Sequence, residues 1–278
     1  MSFTLKWNGT HIYQKFGSKV SHMCSSKHFE EPEFIRLMKA LDEGHQMHRK
    51  LWEFVSIAKL VEEHHDDPVN KNAIGFGVGK EPLVSLFAKW GYNVLATDQP
   101  TGGTSVDWEN SNQHAASLDD VFKVNIINRE TFDSKVKFKH IDMTALPDNI
   151  GKYDTIWSSC VVEHLGSFEK TKEFLLASYK MLNPGGISVH TTEMELTEKE
   201  TMRDYGYSAV FRTIELLNIK AQLKAMGAEI EMSFYTPNAD EFDNHISTPP
   251  YDFDKPHLKL LLGDSVTTSF MIVIKKPI

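Results

Sequence analysis

An α/β fold with a doubly wound, mostly parallel sheet is expected from three observations. From about residue 72 onward, short apolar runs alternate with stretches of helical periodicity. Several of these runs end in a glycine or an acid, at Gly75, Asp98 and Asp142. The last two extended runs, 228–235 and 265–276, have no helix between them, which suits a terminal antiparallel pair.

The elements follow in order. Residues 1–30 are polar and irregular. Residues 31–65 read as two helices separated by Gly44, one with a Phe34, Leu37, Met38, Leu41 stripe and one with Leu51, Phe54, Val55, Ala58 and Val61. Strands are expected at 72–75, 93–97, 136–141, 154–158 and 187–192, and helices at 81–90, 118–124, 167–182 and 213–226. Asn183, Pro184, Gly185 and Gly186 stop one helix, and Gly227 closes another. The division expected is an N-terminal helical extension at 1–69 and one α/β domain at 70–278, with a lid-like insertion at about 236–264.

Composition narrows the function classes. The chain has 278 residues, 41% of them hydrophobic, enough for a sizeable core. There is no apolar run of about 18 residues, so no membrane span is expected, and residues 1–30 lack the apolar centre of a signal peptide. Two cysteines, Cys24 and Cys160, exclude a disulfide framework and fit a reducing, cytoplasmic setting. Thirty basic against 38 acidic residues give a net charge of −8, the wrong sign for a general nucleic-acid partner.

Ligands in such sheets bind beyond the carboxyl ends of the strands. That rule draws attention to Ile74, Gly75, Phe76, Gly77, Val78 and Gly79, between a strand and a helix. Glycines there tolerate positive φ and let a ligand approach the backbone. Asp98 ends the next strand, where an acid can accept both hydroxyls of a ribose. The alternative for the turn is glycine-rich packing. A dinucleotide fingerprint needs G-x-G-x-x-G, and Lys80 stands where its last glycine would be.

The G-x-G-x-G spacing resembles the S-adenosylmethionine (SAM) loop of class I methyltransferases. The resemblance extends over Asp142 in His140-Ile141-Asp142-Met143, over Tyr153-Asp154-Thr155-Ile156-Trp157-Ser158-Ser159 as the fourth strand, and over Met181-Leu182-Asn183-Pro184-Gly185-Gly186 as the L-x-P-G-G turn. It covers about residues 70–275. It implies a Rossmann-like, seven-stranded sheet with an antiparallel last strand, and SAM as cofactor. By the same resemblance Gly75, Phe76, Gly77 and Gly79 hold the methionine end, Asp98 and Gln99 the ribose, Asp142 and Met143 the adenine, and Ser159 borders the cofactor. The family usually carries an acid two residues before the first glycine. Here that residue is Ala73, so the methionine ammonium needs another partner. Glu81 is the candidate, with Arg49 as a candidate for the carboxylate.

On the acceptor side, methyl transfer from a sulfonium mainly needs alignment, and an aliphatic hydroxyl also needs a base or a metal. Glu163 and His164 follow the fourth strand, and His190 and Glu193 end the fifth. His164 or His190 is the expected base. The alternatives are a hydrogen-bonded structural pair for the first two and a strand-end cap for the others. A metal-binding E-x-x-E-H motif would have its first acid replaced by Cys160, which weakens a hard-cation site, so a divalent metal is possible but not favoured and no metal ligand is assigned. Arg203 and Arg212 are surface ion-pair residues, or one of them grips an acceptor anion. Tyr251, Asp252, His257 and Lys259 are candidate acceptor contacts in the 236–264 segment.

W-S-S-C-x-x-E-H-L-G-S, V-H-T-T-E, P-H-L-K-L, T-T-S-x-x-I-x-I-K and the early H-R-K-L-W-E segment resemble a group of bacterial methyltransferases linked to cell-surface polysaccharide assembly. That resemblance implies O-methylation of a sugar hydroxyl on a glycan or glycan precursor. The competing readings are a small-molecule or RNA-end methyltransferase, a non-catalytic SAM-binding protein and a nicotinamide-dependent oxidoreductase. Oligomeric state is not specified by the sequence.

Overall fold

The computed structural model describes residues 12–102, 113–197, 203–204, 208–252 and 254–278. The chain opens with β1 (His22–Met23), then α1 (Pro32–Ala40) and α2 (Arg49–His64). Proline near the start of α1 suits the fixed φ of a first helical turn. The ring of His48 caps α2 by accepting from Lys50 N at 3.0 Å.

Strand and helix then alternate: β2 (Asn72–Phe76), α3 (Leu83–Trp90), β3 (Asn93–Asp98), α4 (Arg129–Lys135), β4 (Val136–His140), β5 (Tyr153–Ser159), α5 (Phe168–Met181) and β6 (Leu182–Glu195). A short antiparallel pair, β7 (Arg203–Asp204) with β8 (Ala209–Val210), precedes α6 (Thr213–Ala225). The chain closes with α7 (Glu241–Asn244), β9 (Ile246–Ser247), β10 (Lys259–Leu262) and β11 (Ser265–Lys275).

Among the described residues nine strands form the main sheet, in the order β4-β3-β2-β5-β6-β11-β10-β9 with β1 on β11. The five from β4 to β6 are parallel, and β11 runs antiparallel to both β6 and β10. The expected doubly wound sheet with an antiparallel last strand is present, enlarged by the short β1 and β9. Strand order reverses between β3-β2 and β5-β6, which opens a crevice beyond the carboxyl ends of β2 and β5.

Side-chain alternation divides the core between the two sheet faces. Ala73, Trp157 and Val189 pack with Trp52, Val55 and Leu86, from α2 and α3. Ile74, Ile156 and Ile272 pack with Phe174, Leu216 and Ile219, from α5 and α6.

Three sequence expectations differ from the structure. The 228–235 run was expected as a strand, but only isolated bridges hold it, Glu229 to Lys275 and Ser21 to Met232. The place beside β11 belongs instead to β10, whose backbone pairs from Lys259↔Thr268 to Leu262↔Ser265 through a tight turn. The 236–264 segment, expected as a lid-like insertion, is tied to the sheet edge at two places, by β9 and β10. The helix expected at 118–124 is a 3-10 turn at Leu118–Val121, followed by α4.

The N-terminal segment shares this core. β1 pairs with β11 (His22↔Met271), and Trp52, Val55, Ile57, Leu60 and Val61 of α2 are buried against the sheet.

Candidate active site

The glycine turn lies at the carboxyl end of β2. Gly77 and Gly79 have φ of +57° and +51°, a region that strains any residue with a Cβ. At Gly75 the reason is contact, since a Cβ there would lie 2.3 Å from the Trp157 ring. The backbone is fixed by Val78 N donating to Thr97 O at 3.0 Å and by Thr97 Oγ1 donating to Gly75 O at 2.7 Å.

Asp98 is buried and ties three segments together. Its Oδ2 accepts from Gly79 N and Ala115 N, each at 3.0 Å, and its Oδ1 accepts from Gln99 N at 2.8 Å. Two partners fill Oδ2, and Oδ1 keeps one acceptor position. Gln99 O in turn accepts from the rings of His114 and His140.

Glu81, just after the turn, is buried and accepts from Trp157 Nε1 at 2.6 Å. Burial pushes its carboxyl up to about 8 despite that bond. On the outer side of β4, Asp142 is exposed and folds back onto Thr144, while Met143 is buried.

The first turn of α2 overhangs the ends of β5 and β6. Arg49 donates to Glu193 Oε1 at 2.5 Å and to Cys160 Sγ at 3.2 Å, and it lies 3.6 Å from Glu53. Lys50 lies 3.4 Å from Glu53 and donates to Ser159 O at 3.4 Å. Glu53 is fully buried and receives the hydroxyls of Ser159 and Ser269, so it fastens α2 to β5 and β11. Burial opposes its charge, but Lys50 and Arg49 hold its pKa below the ordinary value.

Cys160 takes φ +53°, which turns its thiol toward Glu163 Oε1 at 2.8 Å. Burial raises the Cys160 pKa well above the ordinary thiol value, so the S–H donates. Burial also raises Glu163, whose Oε2 accepts from Thr192 Oγ1 at 3.2 Å. Ligand-type atoms of Cys160, Glu163 and Glu193 lie within 4.8 Å of one another. The Arg49 guanidinium already supplies positive charge to two of the three, so a divalent ion there would compete with it.

Of the expected acceptor-side residues, Glu163, His164 and Glu193 meet at this cluster. His164 is half-buried at the end of a 3-10 turn (Val162–His164), near enough to Glu163 to lower that carboxyl's pKa. His190 lies elsewhere. It is fully buried under α5, with Nδ1 2.7 Å from Ser158 Oγ and Nε2 2.6 Å from Ser188 Oγ. Strand alternation turns it away from the face that carries Thr191 and Glu193, so both ring nitrogens serve the core and not an acceptor.

Arg212 caps α6 and pairs with Glu215. The side chain of Arg203 lies outside the described residues. Tyr251 donates to Leu261 O at 2.9 Å and sets its ring edge-on to His257. His257 is buried, stacks on His48 at 4.8 Å, and its carbonyl accepts from Arg49 N at 3.0 Å. The 236–264 segment is thus anchored to the turn that carries Arg49. Lys259 donates to Pro237 O at 2.6 Å, which makes it a structural brace.

Comparison with known proteins decides the class. Residues 74–190, which include the glycine turn, Asp98, Cys160 and Glu163, match the methyltransferase domain family. The chain carries a methyltransferase domain. SAM is the methyl donor of this methyltransferase. No curated protein matches the sequence. Among solved structures the methyltransferase is similar to a SAM-dependent methyltransferase from Clostridium acetobutylicum, with 13% identity, 88% of this chain and 98% of that chain covered, and a TM-score of 0.46. It is also similar to magnesium protoporphyrin IX methyltransferase from Synechocystis with bound SAM (11% identity, 90% and 94% covered, TM-score 0.46). An O-methyltransferase family protein from Burkholderia thailandensis is a third (9% identity, 82% and 59% covered, TM-score 0.47).

The residues present suit the donor. Glu81 is a buried carboxyl whose charge has a single hydrogen-bond donor of its own, so a cation beside it would be favoured. Oδ1 of Asp98 retains room for one hydroxyl.

The sequence reading of the methyltransferase missed Lys50, Glu53 and Glu195. A signal was available for Glu53: it interrupts the apolar stripe of α2 between Leu51 and Phe54, with Arg49 four residues and Lys50 three residues before it.

Proposed function

We propose that this methyltransferase places the SAM methyl group on a sugar hydroxyl of a glycan or glycan precursor. The carrying observation is that the Gly75–Gly79 turn with Asp98 and the Arg49–Glu193–Cys160–Glu163 cluster lie on one sheet edge, at the ends of β2, β3, β5 and β6. The first group is chemically suited to the donor. The second is rich in hydrogen-bond acceptors, which suits a hydroxylated acceptor.

In this reading the turn holds the methionine end, Glu81 receives the ammonium in place of the acid absent at Ala73, and Asp98 takes a ribose hydroxyl on Oδ1. Met143 and Asp142 border the adenine, and Ser159 lies between donor and acceptor. SAM supplies an activated sulfonium methyl. Glu193, held by Arg49, orients the acceptor hydroxyl. His164 takes its proton as the carbon–oxygen bond forms and the carbon–sulfur bond breaks. The products are a methyl ether and S-adenosylhomocysteine. Two free thiols, Cys24 and Cys160, support a reducing, cytoplasmic location.

The test is mass spectrometry of glycan fragments after incubation with the enzyme and methyl-labelled SAM. Gain of one labelled methyl on a sugar oxygen supports the reading. Label on nitrogen, carbon or an RNA end, or no label, overturns it.

A further inference from the structure

Glu195 is the last residue of β6 and lies two positions after Glu193, on the same sheet face. The register confirms the placement. Glu195 pairs with Thr267 of β11 and Glu193 with Ser269, and Thr267 Oγ1 approaches Glu193 Oε2 at 3.5 Å. Glu195 is only 6% exposed. Its Oε1 accepts from the backbone and hydroxyl of Thr197, whereas its Oε2 is buried with no hydrogen-bond donor among the described residues. An unpaired buried carboxylate oxygen is costly, on the order of 1–3 kcal/mol, and is retained where a ligand completes it.

The charges around it sharpen the point. Among the described residues of the cluster, Glu53, Glu163, Glu193 and Glu195 outnumber Arg49 and Lys50, and Arg49 is paired with Glu193 and Lys50 with Glu53. A phosphate or carboxylate on the acceptor would meet like charge in a poorly hydrated site.

We propose that Glu195 determines acceptor specificity: its Oε2 receives a hydrogen from a hydroxyl or amine of the acceptor, and the site takes neutral or amino sugars while rejecting anionic ones. This rests on the proposed glycan-methylating reading of the same site. A donor-lacking analogue leaves Oε2 unpaired, and an anionic one adds repulsion.

The experiment uses the full chain with SAM and three methyl glycosides of one ring geometry, those of glucose, glucosamine and glucuronic acid. S-adenosylhomocysteine release is followed for wild type, Glu195→Gln and Glu195→Asp, with thermal melting as the folding control and SAM binding read separately by calorimetry. The expected result is kcat/KM at least about ten-fold higher for the uncharged or amino glycoside than for the glucuronide. Glu195→Gln should raise KM for the preferred glycoside about ten-fold with kcat little changed, and should narrow discrimination against the glucuronide. Equal or better use of the glucuronide overturns the assignment, as does an unchanged KM in Glu195→Gln. Methylation of a non-sugar acceptor with Glu195 still governing charge preference would instead remove only the glycan reading.

Discussion

The indole N–H of Trp157 donates to Glu81 Oε1 at 2.6 Å, and the same indole lies where a side chain at Gly75 would have to stand. One residue of β5 therefore enforces the bare glycine turn and holds the acid proposed to replace the one absent at Ala73. Burial raises the Glu81 carboxyl from 4.5 to about 8. Between those values the folded protein keeps a proton that the unfolded chain has released, so this group's contribution to stability is full below about 4.5 and is lost as pH rises through about 8. Glu81→Gln should flatten that part of the profile and melt higher than wild type near pH 8. With the SAM ammonium against Glu81, binding releases a proton below about pH 8, and affinity rises by up to about ten-fold per pH unit in that window. Calorimetry in buffers of different ionisation enthalpy reads the proton directly. No proton release would detach Glu81 from the ammonium.

Asp98 makes a second, separable prediction. Its carboxylate accepts from Gly79, Gln99 and Ala115, so replacing it disturbs the turn as well as any ribose contact. Asp98→Asn keeps the shape but presents an NH2 to at least one backbone N–H. A lost charge-assisted bond costs about 1.5–3 kcal/mol, so SAM affinity should fall about 10- to 100-fold, with a measurable drop in melting temperature. Asp98→Ala should lose more of both. Unchanged affinity in calorimetry would place the cofactor elsewhere.

How much was legible in the sequence depends on the range of the interaction. Glycine spacing, strand-end acids and apolar alternation are local, and they located the turn, Asp98 and the strands of the parallel sheet. The role of α2 was not local. Its stripe of Leu51, Val55 and Ala58 announced a packed helix, but nothing in spacing says that Glu53 meets Ser159 and Ser269 far along the chain. His190 shows the converse. A polar residue near a strand end looked functional, yet strand parity sends it beneath α5, where Ser158 and Ser188 satisfy it. Strand β10 was missed because its four residues, Lys259–Leu262, are too short to stand out beside the 228–235 run.

Arg49 tests the acid cluster as a unit. Its side chain is 15% exposed and bridges Glu193 and Cys160 while facing Glu53. Arg49→Leu leaves these groups without their shared cation, and breaking a buried pair in this way costs about 3–5 kcal/mol, to be read by urea unfolding. Arg49→Lys keeps the charge but cannot make both contacts, so it should recover only part of the stability. The combined Arg49→Leu, Glu193→Leu variant should be less destabilised than the sum of the single changes. Additivity would show that the two residues do not act together.

The two histidines first paired as candidate bases should now part company. Burial lowers the His190 pKa from 6.5 to about 3, so the unfolded chain takes up a proton that the folded protein refuses. Its contribution to stability is full above about pH 6.5 and is lost as pH falls toward 3, opposite in slope to that of Glu81. His190→Gln breaks the serine network, and the expected cost is about 1–3 kcal/mol, with kcat per folded molecule and its pH profile unchanged. His164→Gln should leave melting nearly intact and lower kcat about 10²- to 10⁴-fold, the usual contribution of a positioned proton acceptor. Measuring both variants against both readouts separates the roles, because a stability loss and a turnover loss fall on different residues. A turnover loss confined to His190→Gln at full folding would reverse the assignment and require the β6 face beneath α5 to open to the acceptor.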